Sequence, residues 1–251
     1  FAVNLSNPVG DSIKDGEAIG TIRNDDSNPL ALAALDGGNG YSVGSEWDVL
    51  VTEAATGDFD GDGVSDYIAG RPHADVGALT DAGTAFVLFA ASDVGPSFDP
   101  SSLDGVDGFS VAGLDSGDLT GYSAGFAGDF NGDGFDDLII GAPGAVSEAG
   151  AVYIVFGGVG VAASGSVDLA TLDDFGRGFE LNGASVGEQA GTTVGAIGDI
   201  NGDGFADVII GTPGADPAGG NNAGGTYIVY GSATMSATAS IDLNGFVSNV
   251  T

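Results

Sequence analysis

Three segments of this chain are one motif written three times: GDFDGDGVSDYIAGRPHA at 57–74, GDFNGDGFDDLIIGAPGA at 128–145 and GDINGDGFADVIIGTPGA at 198–215. Their leading aspartates, Asp58, Asp129 and Asp199, stand 71 and then 70 residues apart. A constant pitch marks a repeated supersecondary unit whose neighbours bury one another's faces. Any fold for this chain must therefore be built from equivalent blocks.

The surroundings of the motif repeat as well. GYSVGSEWDVLVTEA, FSVAGLDSGDLTGYSAGFA and FELNGASVGEQAGTTVGAI lie upstream, and DAGTAFVLFA, EAGAVYIVFG and AGGTYIVYG lie downstream. The downstream runs of Val, Ile, Phe and Tyr end near Gly or Ala, which is strand chemistry. Frequent glycine and the lack of a three-to-four-residue apolar period argue against long helices. Each unit is expected to hold about four short strands, with the acidic loop joining two of them. Such units at this pitch point to an all-β fold of β-propeller blades. A sandwich could use the same strands, but it would not need one loop repeated at fixed spacing.

Within each loop, acidic and amide side chains occupy alternate positions before a β run begins. Like charges repel, so a cation belongs among them. Hard cations such as calcium take several oxygen ligands, and a compact loop can supply them if glycine permits the turn. The candidate ligands are Asp58, Asp60, Asp62, the Val64 carbonyl and Asp66 in the first loop. In the second they are Asp129, Asn131, Asp133, the Phe135 carbonyl and Asp137, and in the third Asp199, Asn201, Asp203, the Phe205 carbonyl and Asp207. The pairs Gly61 and Gly63, Gly132 and Gly134, and Gly202 and Gly204 supply the turn. A helix-loop-helix calcium hand requires Glu at its twelfth position, where these loops carry Ala69, Ile140 and Ile210. The plain alternative is a turn rich in Asp and Gly, which three copies with the same offsets make the weaker reading. The candidate ligands include ten carboxylates against six charges from three calcium ions, so the expected role is structural: removing the ions should loosen each blade by repulsion.

Overall charge bounds the partners. The 251 residues include 36 acidic and four basic side chains, Lys14, Arg23, Arg71 and Arg177, for a net charge of -32. Without a basic patch, nucleic acid and anionic membranes are poor partners. The plain reading of this acidity is a solvated surface suited to high salt, and metal binding can account for only part of it. Cysteine is absent, which excludes disulfides and thiolate metal sites and favours calcium over zinc or copper. No stretch approaches the roughly 18 apolar residues of a membrane span. No signal-peptide pattern starts the chain, and Phe1 follows no initiator methionine, so the sequence reads as a processed product or excised segment.

The order of acidic loop, Gly-Ala-Pro element and closing strand, in GDFNGDGFDDLIIGAPGA followed by GAVYIVFGG, resembles the FG-GAP repeats of integrin α-chain β-propellers and their bacterial relatives. GRPHA and GTPGA depart from Gly-Ala-Pro without touching a candidate ligand. The resemblance implies a calcium-loaded propeller, often of seven blades, used in extracellular or cell-surface adhesion. It places blades at about 30–95, 102–160 and 168–231, with a partial fourth at 240–251 that contains IDLNGFVSNVT at 241–251. At this pitch a seven-bladed ring needs more chain, so the expectation is part of a larger ring or assembly. Residues 1–26, within a proposed first segment 1–27, resemble the last strands of a Calx-beta domain, with propeller blades over 28–251. That likeness makes Asp25 and Asp26 candidate calcium ligands; a hairpin and linker is the alternative. A part-domain at one end and a part-blade at the other suggest pairing with other chains by strand addition.

Nothing in the motifs specifies catalysis, and the chain is expected not to be an enzyme. His73, the lone histidine, reads as a surface turn residue. Trp47 and the other aromatics read as packing between blades, with Trp47 a weaker candidate for ligand contact; NLS at Asn4 and NVT at Asn249 match a glycosylation pattern that arises often by chance. The leading expectation is an extracellular or cell-surface, calcium-stabilised propeller segment that acts in adhesion or in surface or matrix assembly, with other protein chains or surface glycans as partners. The alternatives are a lectin-like glycan-binding propeller and the non-catalytic propeller of a larger secreted hydrolase.

Overall fold

The computed structural model describes residues 56–89, 102–216, 223–234 and 240–243, together with the backbone of the two-residue strands at 22–23, 29–30, 42–43 and 97–98. The first two of these, β1 (Ile22–Arg23) and β2 (Pro29–Leu30), pair antiparallel. Asp25, Asp26, Trp47, Asn4 and Asn249 lie outside the described residues.

The fold is all-β, an array of small antiparallel sheets stacked as propeller blades. After β3 (Ser42–Val43) the first blade begins with β4 (Thr56–Gly57), β5 (Asp66–Arg71) and β6 (Thr84–Leu88). A short β7 (Ser97–Phe98) returns to β3 before β8 (Gly108–Ala112) completes that sheet. The second blade holds β9 (Ser123–Gly128), β10 (Asp137–Ala142) and β11 (Ala151–Val155), and after β12 (Ser166–Val167) its fourth strand β13 (Gly178–Asn182). The third holds β14 (Thr193–Gly198), β15 (Asp207–Thr212) and β16 (Gly225–Val229), followed by β17 (Ile241–Asp242).

Neighbouring strands within each blade run antiparallel, and the fourth strand of each of the first two blades comes from the segment that leads into the next blade's first strand. A two-residue strand then lies parallel on that fourth strand, β12 on β8 and β17 on β13, and β7 pairs with β3 in the same parallel sense. The segment IDL at 241–243, the expected start of a further unit, thus closes the edge of the second blade, with Leu243 fully buried. The first and second blades are each stitched by chain that follows the next blade's acidic loop.

The sequences of the strands explain the layering. In β10 the side chains of Leu138 and Ile140 pack with Phe59, Ile68, Val87 and Phe109 of the first blade, while Ile139 packs with Val208 and Ile210 of the third. A strand apolar on both faces is what a sheet sandwiched between two others requires. The third blade buries only its inner face: Ile200 and Tyr230 are 51% and 52% exposed, whereas Phe130, which holds the place of Ile200 in the second loop, is fully buried. The described sheets therefore form an open array and not a closed ring.

Candidate metal centres

Each acidic loop joins the first and second strands of its blade: 58–65 between β4 and β5, 129–136 between β9 and β10, and 199–206 between β14 and β15. In the second and third blades the pairing slips by one residue at the loop's base, beside Asp137 and Asp207. A bulge of this kind re-aims the side chain at the strand end. All six loop glycines have positive φ, between +79° and +95°.

The loops share one hydrogen-bond pattern. Asp58 accepts from the N–H groups of Gly61 and Gly63 on its two carboxylate oxygens, at 2.9 and 3.0 Å. Asp129 accepts likewise from Gly132 and Gly134, and Asp199 from Gly202 and Gly204. At the third position Asp60, Asn131 and Asn201 accept from the N–H two residues on, and at the fifth Asp62, Asp133 and Asp203 accept from Val64, Phe135 and Phe205. These bonds fold the side chains over one short turn. In the first loop, oxygens of Asp58, Asp60 and Asp66 lie within 4.8 Å of one another. Burial, reinforced by the charges of Asp62 and Asp58, raises the Asp60 carboxyl against the opposing hydrogen bond from Asp62.

The ninth position differs from the rest. Asp66, Asp137 and Asp207 are 1%, 0% and 0% exposed. One oxygen of each accepts from the N–H at loop position two, at 2.8 Å from Phe59, 2.9 Å from Phe130 and 2.9 Å from Ile200. The other oxygen of Asp137 accepts from Gly157 at 2.8 Å, and that of Asp207 from Gly231 at 3.0 Å, beyond the third strand of the blade. Burial pushes the Asp137 carboxyl up to about 7, although the N–H groups of Gly157, Phe130 and Asn131 oppose the shift. These carboxylates anchor the loop to the sheet whatever else they hold.

The donor set suits a hard cation. Carboxylate, amide and carbonyl oxygens on one turn are what a calcium ion with about six to eight oxygen ligands takes. A cation there would hold the buried Asp137 ionised and neutralise the Asp58, Asp60 and Asp66 cluster.

Several features have roles that the sequence reading did not single out. Loop position two is a core anchor: Phe59 lies 5.1 Å from Phe109 and Phe130 lies 5.9 Å from Phe179, centroid to centroid. Asp118 and Glu188, both buried, close the turn ahead of the loop by accepting from paired N–H groups, Leu114 and Asp115 in one case and Ala184 and Ser185 in the other. Tyr227 donates to the other oxygen of Glu188 at 2.8 Å; burial first, and then this bond, push the phenol up to about 12. Their signal was the acid in GDLTG and GEQAG, three residues before the second glycine. His73 sits exposed on a turn with Nδ1 3.3 Å from Asp81 Oδ1. A cleft of about 370 Å³ opens beside the first loop, lined by Asp60, Asp62, Phe89, Val106 and Val161.

The sequence model of the FG-GAP repeat matches residues 120–155 and 190–229, which contain the second and third loops. The chain carries FG-GAP repeats. It is 30% identical over 229 residues to integrin alpha-V of Gallus gallus, an alignment covering 87% of this chain and 18% of that protein. Integrin alpha pat-2 of Caenorhabditis elegans is 32% identical over 197 residues, covering 74% of this chain and 14% of the relative. For integrin alpha-5 of Xenopus laevis the figures are 28% over 167 residues, 63% and 13%. The chain thus spans less than a fifth of the length of these relatives.

Proposed function

We propose that these FG-GAP blades bind about three calcium ions, one in each acidic loop, and that the ions are structural elements of an extracellular or cell-surface propeller acting in adhesion or in surface or matrix assembly. The observation that carries the calcium reading is the same side-chain geometry in all three loops, with Asp58, Asp60 and Asp66 converging in the first. The ligands are those named from the sequence: Asp58, Asp60, Asp62, Val64 and Asp66; Asp129, Asn131, Asp133, Phe135 and Asp137; Asp199, Asn201, Asp203, Phe205 and Asp207. Bound calcium supplies positive charge that lets buried and crowded carboxylates share a turn.

Similarity to integrin alpha chains over most of this chain supports adhesion, a binding role and not a catalytic one, with other protein chains as partners. Among the described residues no helix is long and apolar enough to cross a membrane. The exposed outer face of the third blade supports a larger ring or assembly of blades. Residues 1–27 fit this reading as the end of a Calx-beta-like segment, with Asp25 and Asp26 as further candidate ligands. Beads coated with the chain test the adhesive role: they should cluster, or bind a cell-derived matrix, in calcium and release in EGTA. Inert beads in both conditions would remove it. The cleft beside the first loop favours a second reading, glycan binding, for which selective binding on a glycan array is the discriminating result.

A further inference from the structure

The first and second loops touch across the blade boundary, with the Phe135 ring against Gly61 and Asp136 against the leading aspartate. Asp136, at the eighth position of the second loop, donates its N–H to the Asp58 carbonyl at 3.1 Å. Its side chain in turn accepts the Asp58 N–H on Oδ2 at 2.9 Å. Asp58 is therefore gripped on both sides of its own residue by the neighbouring blade, while its carboxylate oxygens hold the turn from Gly61 to Gly63. The approach depends on Gly57, where a side chain would collide with the Phe126 ring and the Asp136 carboxylate. At the next boundary the eighth residue is Ala206, whose N–H donates to the Asp129 carbonyl at 3.0 Å but whose methyl group offers no acceptor for the Asp129 N–H.

We infer that Asp136 is a positioning residue for the first metal centre: the second blade fixes Asp58 of the first, so calcium binding at the first loop and docking of these two blades reinforce each other. The inference rests on the calcium reading above. A hydrogen-bond partner that orients a metal ligand commonly changes affinity by about 10–100-fold when removed. The second loop, facing Ala206, has no such carboxylate grip on its leading aspartate.

Calcium titration calorimetry on the full chain tests this with Asp136→Ala and Asp136→Asn. Alanine already occupies the equivalent position in the third blade, so the alanine variant is expected to fold, and melting of the calcium-free protein checks that it has. Asp136→Ala should weaken one site by about tenfold or more and leave the others unchanged. Asp136→Asn keeps an acceptor and should recover most of the loss. In an Asp60→Asn, Asp62→Asn background, which disables the first loop, Asp136→Ala should have no further effect on calcium binding. Unchanged affinity in the alanine variant would overturn the inference, as would equal stability losses with and without calcium. An asparagine variant as weak as alanine, or weakening of the second or third site, would do the same. Wild-type protein that takes up no calcium would instead remove the calcium reading itself, a distinct result.

Discussion

Two glycines at the same place in neighbouring loops differ in what lies above them. Gly132 has φ +80° and Gly202 has φ +79°, so alanine at either costs about 1–2 kcal/mol for the left-handed backbone. A methyl group at Gly132 would also run into the ring of Phe205 from the third loop, whereas one at Gly202 meets nothing within 4 Å. Displacing a packed ring adds about 1–3 kcal/mol. Gly202→Ala should therefore lose about 1–2 kcal/mol and Gly132→Ala about 2–5 kcal/mol, at roughly 2–4 °C of melting temperature per kcal/mol for a chain of this size. Urea titration in saturating calcium, with the slope held common, gives the comparison. The difference between the two variants should vanish in a Phe205→Ala background, because the ring that causes it is gone. Equal losses from the two substitutions in wild-type background would refute the stacking of one loop upon the next.

Asp137→Ala leaves the N–H groups of Phe130 and Gly157 without their buried acceptor and should cost about 3–5 kcal/mol without calcium and more with it, because a ligand is lost as well, while Asp133→Asn, at an exposed position, should lower calcium affinity and spare the calcium-free fold; urea melts in both conditions separate the anchoring duty from the ligand duty. Phe130→Ala should cost about 3–5 kcal/mol, and Ile200→Ala, half exposed at the same loop position, about 1 kcal/mol or less in the same assay. Burial raises the carboxyls of Asp137, Asp118 and Glu180, so the folded state holds their protons more tightly than the unfolded chain. Their penalty is absent below the unfolded value of about 4 and grows as the pH climbs, for Asp137 up to about 7, so calcium-stripped protein should melt lower at about pH 7 than at about pH 5. Calcium should reverse that trend, because protons compete with the ion for Asp137.

The periodic part of this molecule was legible and the positional part was not. Constant pitch and runs such as LIIGA and AVYIV announced strands, loops and their order, because local composition decides those. The exchange of edges between blades was hidden, since SV at 166–167 and ID at 241–242 are two-residue strands whose partners lie 56 and 60 residues back. The candidate ligands Asp58, Asp60 and Asp62 could be named from spacing alone. The second duty of Asp66, Asp137 and Asp207 could not, because their backbone donors include Gly157 and Gly231, on the far side of two strands. Asp118 and Glu188 were passed over for the same reason: a buried acid that closes a turn looks like any surface acid until the N–H groups around it are placed.

Calcium content and its effect on melting, measured on one preparation, bear most directly on the three-loop clamp. Elemental analysis of the purified chain should find about three calcium ions per molecule, and excess EGTA should lower the melting temperature sharply, with recovery on adding calcium back. Protein that carries no calcium and melts at the same temperature in EGTA would contradict the structural-ion reading of all three loops.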